Sequence, residues 1–244
     1  MRIFASSAVG GLATSLLFAV AIAKAADNPM FDVAFGAAVT SDYISNGITQ
    51  TDHKAAIQGY VEADYGILYA GVWASNVSFG GDADTEIDLS AGIRPEIGKF
   101  SFDFGYLHGL YVNDVSTPWD EVDLSASYAA TDTLTFASKV AYVITTKDVT
   151  PEVSASYSLP MGFELSSRLA YVSYSDPTLF DYLTWDAGVS WTWNDTLKLD
   201  VRYYGSDLSG AECLANSGVA NACDTRVVAT LSVDTSFSAL KGGK

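Results

Sequence analysis

Long apolar runs are missing from this sequence after its first two dozen residues, and so are most of the side chains that catalysis and metal binding depend on. There are two histidines, His53 and His108, and two cysteines, Cys213 and Cys223. A histidine-based metal centre needs several imidazoles, and a zinc site needs closely spaced Cys or His pairs; neither pattern is present. No Gly-x-Ser-x-Gly nucleophile motif occurs. Gly80-Gly81 with Asp82 and Asp84 lacks the spacing of an EF-hand and reads as a solvated turn. Positive charge is scarce too: 13 Lys and Arg stand against 29 Asp and Glu, a net charge of −16. That balance argues against nucleic acid, whose binders carry clustered bases. No cofactor and no metal are expected. Disorder is excluded by the opposite feature, since aromatics make up 13% of the chain and charged residues only 17%.

The first segment reads as an export signal. Arg2 precedes the apolar or small stretch Val9–Val20, and Ala23-Lys24-Ala25 supplies a small-x-small cleavage pattern. Residues 1–25 are therefore assigned to a signal peptide, with the mature chain starting at Ala26 and carrying a charge of −18. The apolar run falls short of the roughly 20 residues that a helical membrane span requires. An exported chain without a helical span is either soluble outside the cytoplasm or a β-barrel.

Period-two alternation favours the barrel. Phe31, Val33, Phe35, Ala37 and Val39 share one face and Asp32, Ala34, Gly36, Ala38 and Thr40 the other. The same pattern sets Ile87, Leu89, Ala91 and Ile93 against Glu86, Asp88, Ser90 and Gly92. It sets Leu197, Leu199, Val201 and Tyr203 against Lys198, Asp200, Arg202 and Tyr204. About twelve such segments are expected, near 31–45, 48–65, 68–78, 85–94, 100–112, 121–129, 133–145, 150–159, 162–174, 182–193, 197–206 and 225–237. In the third, Tyr69, Trp73 and Val77 compete with Leu68, Ala70 and Val72 for the greasy face. Tight connections (Gly66-Ile67, Pro95–Lys99, Ala130–Asp132, Pro160-Met161, Asn194–Thr196) alternate with longer ones (Phe79–Asp84, Asn113–Asp120, Thr146–Val149, Ser175–Asp181, Asp207–Asp224). Outer-membrane barrels alternate in this way, with short periplasmic turns and longer external loops. Asn46-Gly47 favours a two-residue type I′ hairpin, and the first hairpin is expected to rise beyond the membrane before it turns.

Aromatics fall into two groups at the strand ends. Tyr65, Phe100, Phe163, Trp193 and Phe237 lie beside the short turns, and Tyr43, Phe79, Tyr111, Trp119, Tyr174, Tyr182 and Tyr203 beside the long loops, as interfacial girdles would. A soluble lipocalin-like barrel would show the same alternation with the greasy face inward. Its outer face would carry many Lys and Glu, whereas the polar faces here are rich in Gly, Ser, Ala and Thr.

The fold expected is thus all-β: a closed antiparallel transmembrane β-barrel over residues 26–237, with 238–244 as a tail beyond the terminal aromatic. Its inner face would carry Glu62, Asp64, Glu86, Asp88, Asp103, Glu121, Asp123, Glu152, Glu164, Asp186, Asp200 and Asp234, against Lys139, Arg168, Lys198, Arg202 and Arg226. Cys213 and Cys223, in an oxidising compartment, are expected to form a disulfide that closes a short external loop. Tyr60, Tyr111, Tyr174 and Tyr204 also fall on the inner face, so large side chains plugging the interior stand as an alternative to an open pore.

The stretch Val39-Thr40-Ser41-Asp42-Tyr43-Ile44-Ser45-Asn46-Gly47-Ile48-Thr49-Gln50-Thr51 resembles the signature of the TorF-type family of proteobacterial outer-membrane porins. The likeness continues through Tyr69–Val77 and Glu86–Gly92. One departure is Asn46, at a position where that family commonly carries Arg. The resemblance implies a porin-type barrel in the outer membrane of a Gram-negative bacterium. Such a barrel would contact lipid and lipopolysaccharide, be inserted by the barrel assembly machinery, and pass small, preferentially cationic or polar solutes. A non-conducting structural barrel is the alternative. A barrel hydrolase built on His108 is the third reading, but His108 shares its face with Phe104, Tyr106 and Leu110, which places it at headgroup level rather than in a catalytic cleft.

Overall fold

The computed structural model describes residues 31–78 and 82–242. The signal segment 1–25, the mature start at Ala26, Phe79 and the Gly80-Gly81 turn lie outside the described residues.

Twelve long strands close into one antiparallel barrel. They are β1 (Phe31–Thr40), β4 (Ala56–Tyr65), β5 (Leu68–Asn76), β6 (Thr85–Ile93), β8 (Phe100–Val112), β9 (Asp114–Ala129), β10 (Leu134–Val143), β11 (Asp148–Ser158), β12 (Phe163–Val172), β13 (Tyr182–Trp193), β14 (Leu197–Ser206) and β15 (Arg226–Ser236). Each pairs with its sequence neighbours, and β1 pairs with β15 from Ala34↔Ser236 to Thr40↔Thr230, which joins the two ends of the sheet. Closure satisfies every edge, the condition for placing a sheet where no water is available to pair it. Among the described residues there are also three two-residue strands: β2 (Ile44–Ser45) and β3 (Ile48–Thr49) form a separate hairpin, and β7 (Glu96–Ile97) pairs with β8 inside a short turn. Helix α1 (Gly210–Ser217) lies in the longest loop, and α2 (Phe237–Gly242) follows β15.

Alternation assigns the two faces. Outward residues are large, apolar and exposed: Ile57 is 71% accessible, Leu124 50% and Leu231 49%. The inward residues that alternate with them are buried or half-buried. A soluble monomer rarely shows contiguous apolar surface beyond a few hundred Å²; here it encircles the molecule. The ambiguous strand β5 turns Leu68, Ala70 and Val72 outward and Tyr69, Trp73 and Ser75 inward. Its register decides this, because Tyr69 pairs with inward Asp64 and Trp73 with inward Tyr60.

Three expectations need correction. The first hairpin does not rise above the barrel: β1 ends at Thr40 and β4 begins at Ala56, and the segment between them folds into the interior. The connection expected over Asn113–Asp120 is mostly strand, since β9 starts at Asp114, Tyr111 pairs with Asp114, and Val112 with Asn113 (φ 68°) makes the turn. Of the aromatics expected at the loop-end girdle, Tyr43, Tyr111, Trp119 and Tyr182 are buried inside, each because it sits on the inward parity of its strand or in the infolded hairpin. Tyr203 is exposed there as expected, together with Tyr106, Tyr142, Tyr171 and Phe180. At the turn end, Tyr65, Phe100, Phe163, Trp193 and Phe237 are exposed, the placement that a girdle requires.

Candidate functional site

The interior divides into two halves. Near the loop end, the inward residues Thr40, Ala56, Ser75, Glu86, Tyr111, Trp119, Val143, Thr150, Val172, Tyr182 and Val228 form a nearly complete ring, none of them more than 4% exposed. Toward the turn end, inward Glu62, Asp64, Asp103, Asp200 and Asp234 are only half-buried. The interior is therefore closed over at the loop end and more accessible to solvent in a vestibule toward the turn end.

The closing element is the β2–β3 hairpin. Asn46 (φ 45°) and Gly47 (φ 79°) both adopt positive φ, the signature of the type I′ turn. Glycine is required at the second position twice over, because a β-carbon there would also lie 2.5 Å from Thr184 Oγ1. Asp42 organises the base of the hairpin: its carboxylate accepts from Thr49 Oγ1 at 2.5 Å, Thr51 Oγ1 at 2.9 Å and Arg226 at 2.8 Å. His53 also approaches Arg226 and Asp42. At the tip, the Tyr182 hydroxyl donates to the Asn46 carbonyl at 2.9 Å and Arg168 donates to Asn46 Oδ1 at 3.3 Å. Polar groups of the hairpin thus find partners inside a space that would otherwise leave them unpaired. Its apolar residues join two dry clusters: Tyr43 with Ala56, Val77, Tyr111, Trp119 and Val143, and Ile48 with Val172, Tyr182, Cys213, Ala222 and Cys223. Gly109 makes room for the first cluster, since a β-carbon there would overlap the Trp119 indole.

A lid presses the hairpin from above. Cys213 and Cys223 are joined in a disulfide with a Cα–Cα separation of 5.9 Å. The loop they close is not a free external loop, for the Thr49 amide donates to the Ala222 carbonyl at 3.0 Å and both cysteines pack on the hairpin's Ile48 cluster. Ser209 and Glu212 cap helix α1 reciprocally, and the two hydrogen bonds from Ser209 hold the Glu212 carboxyl below the usual carboxylate range. Asn216 clamps the neighbouring loop by accepting from the Phe180 amide and donating to its carbonyl. Closure of so short a loop is worth roughly 2–3 kcal/mol of local order in the chain-entropy view. The Cys213→Ser/Cys223→Ser protein is accordingly expected to exchange amide hydrogens faster over 208–224 and on the hairpin, with strand amides unchanged. Uniformly faster exchange would mean that the disulfide supports the barrel itself.

The charged side chains gather into groups. Arg168 meets Glu152 at 2.9 Å and Asp186 at 2.8 Å; Arg202 meets Asp186 at 2.6 Å and Asp200 at 3.1 Å. On β10, where it is the ladder partner of Glu152, Lys139 lies 3.0 Å from Asp123 and 4.0 Å from Glu121. Glu86 and Asp88 sit on the inward face of β6 without an ion pair among the described residues. Glu164 and Lys198 occupy inward positions near the turn end, and Asp234 accepts from Ser232 at 3.0 Å. Arg226 belongs to the base of the hairpin rather than to an open wall. Sequence reasoning missed Asp42, Asn46 and Arg94. Arg94 pairs bidentately with Glu62 (2.6 and 3.0 Å), reaches Asp103 at 3.0 Å, and lies over the Tyr69 ring at 3.7 Å. Its signal was available: Glu86, Asp88, Ser90 and Gly92 alternate inward, and Arg94 continues their parity.

His108 is on the outward face, bonded to Asp120 at 2.9 Å, and Tyr106 donates to the same carboxylate. No group of three or more His, Cys, Asp or Glu side chains among the described residues is arranged to hold a metal ion.

An apolar jacket around a charged interior, in a closed twelve-stranded meander, is the architecture of porin-type barrels. Solved structures of that type resemble this one. They include the KdgM porin (11% identity, 84% of this chain and 99% of that one, TM-score 0.59). The NanC porin is similar at 9% identity, over 83% of this chain and 97% of that one, with a TM-score of 0.52. An outer-membrane channel from Pseudomonas putida F1 matches at 10% identity, over 86% of this chain and 97% of that one, with a TM-score of 0.51. No curated protein sequence matches the chain. By sequence it belongs to the Gcw_chp family, described as a bacterial protein of unknown function, over residues 23–237.

Proposed function

We propose that the protein is a channel of the outer membrane of a Gram-negative bacterium, exported by the 1–25 signal and passing small polar solutes with a preference for cations. The long loops then face outward, the short turns face the periplasm, and the outer wall meets lipid and lipopolysaccharide. The observation that carries the reading is the contrast between walls: apolar residues outside, and inside an excess of carboxylates over bases even after Arg94 is added. Carboxylates lining a narrow low-dielectric passage raise the local concentration of cations and set selectivity. The likeness of the 39–51 segment to TorF-type porins supports the same conclusion. One KdgM structure is a complex with disordered oligogalacturonate, a polyanion; the acidic interior here disfavours a ligand of that charge.

In a planar bilayer with a salt gradient, the reversal potential is expected to show cation preference, declining as salt screens the lumen. Anion preference would refute it. The buried ring at the loop end favours one second reading, a structural barrel that does not conduct. Absence of current in both the native protein and a protein lacking the hairpin would select that reading.

A further inference from the structure

Beside the Tyr43 flank of the hairpin the interior is unbalanced in charge. Glu86 and Asp88 are two residues apart on the inward face of β6, and Glu121 and Asp123 are two apart on that of β9. Both strands pair with β8, where Asp88 stands opposite Gly109, and Gly109 opposite Trp119. The missing side chain at Gly109 leaves the two acidic pairs on adjacent ground, with Lys139 as their cation. That ammonium sits on the Asp123 side. Glu86 is fully buried with the Tyr43 hydroxyl as its one neighbouring donor, and Asp88 is 3% exposed with no hydrogen-bond partner for either carboxylate oxygen. The Trp119 indole nitrogen, buried in the same cluster, is also without a partner.

A buried carboxylate without a partner is costly, and a concentration of such groups marks a place where something else is bound. Aromatic rings frame it. Tyr43 and Trp73 meet edge-on at 5.5 Å between centroids, and Tyr111 and Trp119 at 5.1 Å. Carboxylates beside ring faces suit a compact positive charge. A desolvated divalent metal is disfavoured, because no three acidic, His or Cys side chains converge among the described residues.

We propose that Glu86 and Asp88, walled by Tyr43, Trp73, Tyr111 and Trp119, form a discrete site for a monovalent cation, an alkali ion or a primary ammonium group. The proposal deepens the channel reading and rests on it for how the cation arrives, though binding itself can be measured without conduction. An occupied site supplies counter-charge to the pair and lowers the negative charge against which the Tyr43 flank of the hairpin rests.

The test is equilibrium dialysis of radioactive rubidium against the detergent-solubilised full-length protein at neutral pH and low ionic strength. Saturable retention is expected, displaced by potassium and by methylammonium; whichever competes at lower concentration distinguishes the alkali from the ammonium ligand. The Glu86→Gln/Asp88→Asn protein is expected to lose saturable retention while keeping strand-type circular dichroism and heat-modifiable gel mobility. The substitutions remove uncompensated buried charge, so folding is not at risk from them. No saturable retention by the native protein, equal retention by the variant, or displacement by magnesium at lower concentration than by potassium would overturn the proposal. Rubidium binding without bilayer current would leave the site standing and remove the channel reading. Current without binding would do the reverse.

Discussion

Excising the infolded hairpin is expected to raise single-channel conductance severalfold while leaving the barrel intact. Thr40 of β1 and Ala56 of β4 are already a paired position in the ladder. Replacing residues 41–55 by Asn-Gly therefore joins the two strands through a turn of the favoured two-residue type without changing register. Apart from the bonds that Ser41 makes with Ala229 of β15 at the end of the ladder, the paired strands are untouched, because β2 and β3 pair only with each other. What disappears is the material over the mouth: Tyr43 leaves one dry cluster, Ile48 leaves the other, and Arg226 loses Asp42. Arg168 keeps Glu152 and Asp186, so the ion-pair ladder on the later strands survives. A graded version is Tyr182→Phe, which removes the hydroxyl that donates to the Asn46 carbonyl. One such bond is worth about 1 kcal/mol, or about a fivefold change in the ratio of open to closed channel, readable as open probability. Unchanged conductance after excision would mean that the other loops close the mouth without help from the hairpin.

The alternation that makes the barrel legible is local, and the feature that closes it is not. Each strand declares its faces within a few residues, because side chains two apart must share an environment. Strand β5 is the exception, since its two faces are almost equally bulky and only the pairing of Tyr69 with Asp64 decides between them. The hairpin also declares its turn, through Asn46-Gly47. It does not declare its direction, because a segment with Asp42, Thr49 and Thr51 looks like solvated loop until those groups are seen to bond one another and Arg226. The partners that hold it inward are remote: Arg168 is 122 positions away from Asn46, Tyr182 is 136, and Arg226 is 184 from Asp42. Composition near 113–120 misled for a related reason. Asn113 and Pro118 look like loop, whereas pairing with β8 extends the strand through Pro118 back to Asp114, with a register shift between Gly109 and Tyr111, and leaves only the turn at Asn113. That shift is where the Trp119 indole takes the space over Gly109.

The strongest test of the membrane assignment compares one charge on the two walls. Leu124 lies mid-strand on β9, faces outward, and is flanked across the ladder by the exposed Phe104 and Val140. In lipid, an arginine at such a depth must draw water or headgroups toward it, at about 2–4 kcal/mol near the midplane. Leu124→Arg is therefore expected to lower the stability of the folded barrel in vesicles by that amount, read from the urea dependence of the slow-migrating unfolded band on an unheated gel. Ser127, on the same strand, faces inward between Ser101 and Ala137 in the half-buried vestibule. An arginine there extends into water among carboxylates and is expected to cost under about 1 kcal/mol, since lumen substitutions escape the lipid penalty. In aqueous buffer without detergent the ranking has no cause, because an exposed Leu124 replaced by a charge would gain hydration instead. Equal costs at the two positions, or a Leu124→Arg protein that becomes soluble and monodisperse without detergent, would show that the apolar wall does not face lipid.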